Sequence, residues 1–162
     1  MRRWLACLTV ACLLLESVAV AAVRGKAAKY VGGTLTGLAE NTDVTFELGD
    51  VAAVFKAKKG ATIAIPYKQI DSLEYGQKVG RRLGAALGTA AVINPVFLLL
   101  LFSKKRKHFL TIGFTDEANK KQGAVFELAK GTVQQTLMTL ETHSGKKVEY
   151  ESEEAQKFAA KR

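Results

Sequence analysis

Residues Tyr75–His108 read YGQKVGRRLGAALGTAAVINPVFLLLLFSKKRKH, and this stretch decides how the rest of the chain can fold. No charged side chain occurs between Leu83 and Ser103. About 20 apolar residues are enough to cross the hydrocarbon core of a bilayer, about 30 Å thick, as one helix. We therefore expect residues 83–103 to form an apolar helical insertion that enters a membrane. The side chains predicted to contact lipid are Leu87, Val92, Ile93, Val96, Phe97, Leu98, Leu99, Leu100, Leu101 and Phe102.

Basic side chains flank the insertion on both sides, three before it and four after it. A lysine or arginine near an anionic membrane surface gains about 1 kcal/mol from the negative headgroups. We therefore predict that these basic residues bind anionic lipid headgroups. They are Lys78, Arg81, Arg82, Lys104, Lys105, Arg106 and Lys107.

Asn94 and Pro95 lie near the middle of the insertion. Proline interrupts a helix, and the residue before it prefers an extended conformation. Each arm would then have about 10 residues and a length of about 15 Å, half of the hydrocarbon core. The expected structure is a hairpin that turns at Asn94 and Pro95 and returns to the surface from which it entered. Two alternatives stay open: a single transmembrane helix oriented by its positive flanks, and a hairpin packed on protein.

Glycine recurs every four residues at Gly76, Gly80, Gly84 and Gly88. Residues four apart share one face of a helix, and small residues on that face let helices approach closely in a membrane. This spacing predicts that the glycine face packs one arm of the insertion on the other arm or on a second copy of the chain.

The sequence around the insertion alternates as strands do. Val44, Phe46 and Leu48 follow a period of two, and Leu110, Ile112 and Phe114 define the face of a later strand that should be buried. Pro66 cannot donate to a ladder, so we expect it at a strand end or at an edge.

One amphipathic helix is predicted after these strands. Val133, Leu137 and Leu140 recur at helical spacing, Thr132 is a candidate N-cap, and Gly145 is a candidate C-terminal stop. Residues 29–150 therefore predict an α+β domain. Its antiparallel curved sheet or partial barrel is closed by a C-terminal helix and interrupted by the apolar insertion.

The segment ATIAIPYKQIDSLEYG, residues 61–76, resembles the strand-turn-strand signature of bacterial PH-like and GRAM-like domains. The helix after the strands is also similar to theirs, and the resemblance covers about residues 29–145. It implies a non-enzymatic module that binds lipid headgroups or protein partners. It implies no particular ligand and assigns no ligand-binding residue.

The first 21 residues have the pattern of a secretory signal peptide. A basic start, Met1–Arg3, precedes the apolar stretch Trp4–Leu15, and Ala19-Val20-Ala21 fits a signal-peptidase site. We expect cleavage after Ala21 or one residue later, and an uncleaved N-terminal anchor is the alternative. Residues 22–28 are then a linker and residues 151–162 a charged tail. Export predicts a periplasmic or cell-envelope location, associated with a membrane.

No catalytic, metal or cofactor site is predicted from the sequence. Cys7 and Cys12 both lie in the signal segment, so the mature chain would have no thiol. Neither His108 nor His143 has an evident nucleophile or orienting partner, and no phosphate-binding loop is present. The chain carries 24 Lys and Arg against 15 Asp and Glu, which suggests an anionic partner. Since its basic residues are not interleaved with aromatic residues, nucleic acid is not the expected partner.

The sequence thus favours a non-catalytic, membrane-associated binding or scaffolding module of the cell envelope. Its expected partner is an anionic membrane surface, with a protein partner or a homo-oligomer as a second interaction. Two alternatives stay open. One is an envelope enzyme or small-ligand-binding accessory protein, and the other is an oligomerising structural membrane protein that uses the glycine face.

Overall fold

The structure is a computed structural model that describes residues 26–58, 60–77 and 107–160. The strands in chain order are β1 (Lys26–Gly33), β2 (Thr42–Leu48), β3 (Ala52–Ala57), β4 (Thr62–Pro66), β5 (Ile70–Gly76), β6 (His108–Thr115), β7 (Lys121–Leu128) and β8 (Val148–Tyr150). The helices are α1 (Val133–Ser144) and α2 (Glu153–Ala160), and short 3-10 turns span Tyr67–Gln69 and Lys130–Thr132.

In the described part of the chain, the eight strands form one curved, unclosed sheet in the order β4-β3-β2-β1-β7-β6-β5-β8. The α+β class and the curved sheet are therefore confirmed. The expectation of a purely antiparallel sheet is wrong, because β8 pairs with β5 in parallel. The reason lies in the connection: α1 carries the chain back after β7, so β8 runs in the same direction as β7 and β5.

The first strand begins earlier than the sequence suggested. Lys26 already pairs with Phe46, and Ala28 with Val44, within the range that was expected to be a linker. Pro66 ends β4, which is an edge strand, as expected for a residue that cannot donate to a ladder.

The core lies on the face of the sheet that the helices cover. At its centre Phe55 stacks on Phe126, with ring centroids 4.0 Å apart and planes inclined by 6°, and Phe46 stacks on Phe55 at 4.6 Å. These three side chains are fully buried. Burial of each contributes about 1.5–3 kcal/mol through the hydrophobic effect. The period-two pattern of β2 therefore identified core residues correctly.

Both faces of β6 are shielded from solvent. Leu110 and Ile112 belong to the core, as predicted, but Phe109 on the opposite face is also only 4% exposed. On the neighbouring strands Val31 and Val125 are likewise buried without belonging to the core cluster. We call the face formed by Val31, Phe109 and Val125 the outer face. Burial on two sides explains why β6 is rich in apolar residues at successive positions.

The predicted helix is present as α1, with Val133, Leu137 and Leu140 buried against the core. Gly145 ends it in the left-handed conformation at φ 68°, and its N–H donates to the carbonyl oxygen of Glu141. Thr132 occupies the N-cap position but makes no side-chain cap. Its hydroxyl instead donates to the Ala129 carbonyl oxygen at 2.8 Å, so the predicted capping interaction is absent.

The second helix, α2, lies within the range expected as a charged tail. It buries Ala155 and Ala159 in the core cluster and presents charged residues elsewhere on its surface. Among the residues that the structure describes, no helix combines the length and the apolar character needed to cross a membrane.

Candidate functional site

Three chain segments meet the sheet at the same end. Ala28 of β1 pairs with Leu128 of β7, and Leu128 pairs in turn with His108 of β6. Phe109 then pairs with Gly76, the last residue of β5. The first residue of β1, the last of β5 and the first of β6 therefore all lie at the same end of four adjacent strands, in the order β1-β7-β6-β5. We call this end of the strands the insertion end, because the chain enters β1 there after residue 25, leaves β5 there before residue 78 and enters β6 there after residue 106. The opposite end of the same four strands is called the far end.

A buried hydrogen bond joins the two strands that flank residues 78–106. The hydroxyl oxygen of Tyr75 lies 2.7 Å from Nδ1 of His108, and both side chains are buried. Phe158 of α2 stacks on the His108 ring with centroids 4.5 Å apart, and Tyr150 packs edge-on against Tyr75 at 6.2 Å. The insertion end is thus a packed aromatic cluster that ties β5, β6, β8 and α2 together.

This environment keeps the hydrogen-bonded pair uncharged. Burial lowers the pKa of His108, and the positive charge of Lys130 lowers it further, while Glu127 opposes the shift. Burial also raises the pKa of the Tyr75 hydroxyl, with Tyr150 adding to the shift. Both groups are therefore neutral near pH 7, and no buried charge has to be compensated.

Lysine side chains surround this cluster. Lys107 forms an ion pair with Glu127 at 2.8 Å. Nζ of Lys26 donates to Oε1 of Gln135 in the first turn of α1, and its pKa is lowered by burial. Lys130 is exposed, and its ammonium nitrogen lies 5.9 Å from the centroid of the Phe158 ring. The insertion end therefore combines an apolar interior with lysines beside β1, β6 and β7, while the glutamates Glu151, Glu153 and Glu154 lie after β8 and on α2.

The structure places two of the predicted site residues. Lys107 lies at the insertion end, directly before β6. Gly76 ends β5 opposite Phe109, so its assignment to a helical glycine face is wrong: the ladder with β6 holds it in the sheet.

The other predicted site residues lie outside the described residues. These are the basic residues Lys78, Arg81, Arg82, Lys104, Lys105 and Arg106, the glycines Gly80, Gly84 and Gly88, the turn residues Asn94 and Pro95, and the ten lipid-contacting side chains from Leu87 to Phe102.

Several residues of the insertion end were missed by the sequence analysis. Lys26 and Lys130 belonged to no motif, Tyr75 lay in the PH-like segment but was assigned no role, and Phe158 lay in the range expected to be a charged tail. The signal that could have found Tyr75 is its place next to the insertion, on the face that Leu73 also occupies. His143 lies elsewhere, where its ring packs against Tyr67 with centroids 4.9 Å apart.

Within the described ranges, no group of three or more His, Cys, Asp or Glu side chains is arranged to hold a metal ion. The chain matches no protein-family model, and a search of curated proteins finds no match.

Proposed function

We propose that this chain is a non-catalytic, membrane-associated binding or scaffolding module of the cell envelope, anchored by residues 83–103 and their basic flanks. The observation that carries the proposal is the insertion end. There the residues before and after the apolar segment pair with each other, Gly76 with Phe109, in one sheet. The chain therefore leaves the sheet before this segment and returns to the sheet after it at the same end.

This pairing bears on how the apolar segment would meet a bilayer. A single straight helix would place β5 and β6 on opposite sides of the membrane. Their ladder runs from the pair Ile70–Phe114 to the pair Gly76–Phe109, so separating them would break the centre of the sheet. A hairpin that enters one leaflet and returns keeps the ladder intact. The proline at position 95 supports a turn near the middle of the segment.

The position of β1 supports the same orientation. Its first residue, Lys26, follows the apolar N-terminal segment and also lies at the insertion end. If the N-terminal segment stays attached as an anchor, it reaches the domain from the same direction as residues 83–103. All connections to apolar sequence would then face one membrane surface.

The PH-like and GRAM-like resemblance gives the module a class of partner. The described part of the chain is a curved sheet with a helix after its seventh strand. A domain of this kind would bind lipid headgroups or a protein partner without catalysis. The basic flanks of the insertion favour headgroups.

Vesicle flotation tests the proposal. The full chain is diluted from detergent into vesicles of phosphatidylcholine, with or without phosphatidylglycerol, and bound protein is measured in the floating fraction. We expect flotation in both cases and stronger, salt-sensitive flotation when phosphatidylglycerol is present. A variant with Lys104, Lys105, Arg106 and Lys107 changed to Gln should lose most of the difference between the two vesicle types.

The matched control changes four exposed lysines elsewhere, Lys58, Lys68, Lys120 and Lys121, to Gln. It loses the same number of charges and should keep the preference for phosphatidylglycerol. A folded full chain that stays at the bottom of the gradient with both vesicles would overturn the proposal. Equal losses in the two four-site variants would reduce the flanks to a general charge effect.

A further inference from the structure

Two lysines at the insertion end lie outside the predicted flanks of the apolar segment. Lys26 begins β1 and Lys130 lies in the turn between β7 and α1, far apart in sequence. The ladder brings them together, since Ala28 pairs with Leu128. Lys107 lies at the same end, so lysines from three different segments of the chain meet there.

Lys26 and Lys130 form no ion pair with a described carboxylate, although Glu151, Glu153 and Glu154 also lie at this end, after β8 and on α2. Glu127 is engaged by Lys107 at 2.8 Å, and Glu153 on α2 is approached by Lys157 at 3.7 Å. By contrast, Lys26 donates to the neutral amide of Gln135, and Lys130 lies over the Phe158 ring. Within the described part of the chain, neither Lys26 nor Lys130 forms an ion pair.

The far end of the same strands carries charges of both signs, Asp116 and Glu117 close to Lys120 and Lys121. The turn between β6 and β7 is organised around Asp116, which accepts hydrogen bonds from the backbone N–H groups of Ala118 and Lys120 and from the Gln122 amide. Strand β6 has eight residues, so the two ends are separated by about 26 Å. This exceeds the Debye length of about 8 Å at physiological ionic strength, so far-end charges contribute little at a surface that touches the insertion end.

We propose that the insertion end itself lies against an anionic membrane surface, with Lys26 and Lys130 in contact with lipid phosphates. This inference rests on the proposed function and adds the orientation of the domain and two further lysines. Changing either lysine to a neutral residue should weaken the binding of this end to the membrane about fivefold, because it removes the attraction between one positive charge and the anionic surface.

Position-specific quenching tests the orientation. The full chain, with Cys7 and Cys12 changed to Ser, receives a single cysteine at Gly131 or at Ala118. Gly131 lies beside Lys130 and has open space for a side chain, and Ala118 is exposed in the far-end turn. Each is labelled with a small fluorophore and reconstituted into phosphatidylcholine vesicles containing phosphatidylglycerol and a nitroxide on the lipid headgroup. We expect strong quenching of the label at 131 and little at 118.

The two lysines are tested in the chain labelled at position 131. Changing Lys26 and Lys130 to Gln should reduce quenching when phosphatidylglycerol is present and have little effect in phosphatidylcholine alone. Changing Lys120 and Lys121 to Gln is the matched control and should leave quenching unchanged. Equal quenching at positions 131 and 118, or no response to the Lys26 and Lys130 changes, would overturn this inference while flotation stays intact. Loss of flotation itself would instead overturn the proposed function.

Discussion

The hydroxyl of Tyr75 and Nδ1 of His108 lie 2.7 Å apart, and this buried contact joins the last strand before residues 78–106 to the first strand after them. Backbone pairing of Gly76 with Phe109 lies beside it. Strands β5 and β6 therefore form an antiparallel pair whose connection is residues 77–107. The residues on the two sides of residues 78–106 are therefore held next to each other in the sheet.

The Tyr75–His108 pair predicts a pH dependence of stability. Burial and Lys130 lower the pKa of His108, so the unfolded chain takes up a proton near pH 6.5 and the folded chain only at lower pH. The free energy of unfolding should fall as the pH drops from 7 through 6.5, with a slope of at most about 1.4 kcal/mol per pH unit. Thermal unfolding of the detergent-solubilised chain measures it.

The variant His108→Gln removes the titrating group, and its stability should not show this fall between pH 7 and pH 5. The variant His143→Gln is the matched control, because it removes the other histidine and leaves the buried pair intact. A fall of the same size in the His108→Gln chain would show that another group is responsible.

Gly33 is predicted to tolerate no side chain. Its backbone has φ 141°, and a Cβ atom there would lie 2.2 Å from the Gly123 carbonyl oxygen, which accepts a hydrogen bond from the Thr34 N–H at 2.8 Å. Gly33→Ala should lower the free energy of unfolding by at least about 2 kcal/mol, through backbone strain and displacement of β7. Gly131→Ala is the control: nothing lies within 4 Å of its added methyl group, so the change should stay within about 0.5 kcal/mol.

The stacked phenylalanines predict the largest single loss of stability. Phe126 lies between Tyr30 and Phe55, with ring centroids 5.6 Å and 4.0 Å away. Phe126→Ala should cost about 3–5 kcal/mol, because it removes a buried aromatic ring and leaves a cavity. Chemical denaturation measures this cost, and Val51→Ala, at a side chain that is 79% exposed, is the control that should change little. A cost below about 1 kcal/mol would contradict the described core.

Removing the apolar segment should leave a folded domain. The β5–β6 ladder needs only a short connection between Gly76 and Phe109, so deleting residues 83–102 preserves every described strand pair. With residues 1–21 also removed, we expect a soluble protein with the native strand and helix content by circular dichroism. It should show a cooperative thermal transition. Aggregation or absence of that transition would show that the domain depends on the deleted segment.

The sequence predicted the parts of the fold that depend on local pattern. Alternation identified Val44, Phe46 and Leu48 as core residues, and helical spacing identified Val133, Leu137 and Leu140. These patterns can be read locally, because each arises from the burial of one face of a single strand or helix.

The parts that depend on long-range pairing were not predictable in the same way. The segment from Lys26 to Ala28 looks like a linker, and it becomes a strand because β2 and β7 pair with it. Phe109 lies on the face of β6 opposite the predicted core residues Leu110 and Ile112, and alternation along one strand does not reveal that it is buried. The parallel pairing of β8 depends on the return of the chain through α1.

The candidate site was predictable to a similar degree. The basic flanks were visible as charge next to apolar sequence, and Lys107 is found at the insertion end. The gathering of Lys26 and Lys130 beside Lys107 depends on three separate strands, so no short motif could have shown it.

The most direct test of the central claim uses single cysteines on the two sides of the apolar segment. With Cys7 and Cys12 replaced, Asp50→Cys and, separately, Lys120→Cys are labelled in intact cells with a maleimide that cannot cross membranes. Both positions are exposed, and they belong to the halves of the sheet before and after residues 78–106. If the chain enters and leaves the membrane on one side, the two cysteines are labelled to the same extent. Labelling of one and protection of the other would place the two halves on opposite sides of a membrane and rule out a hairpin that returns to the same surface.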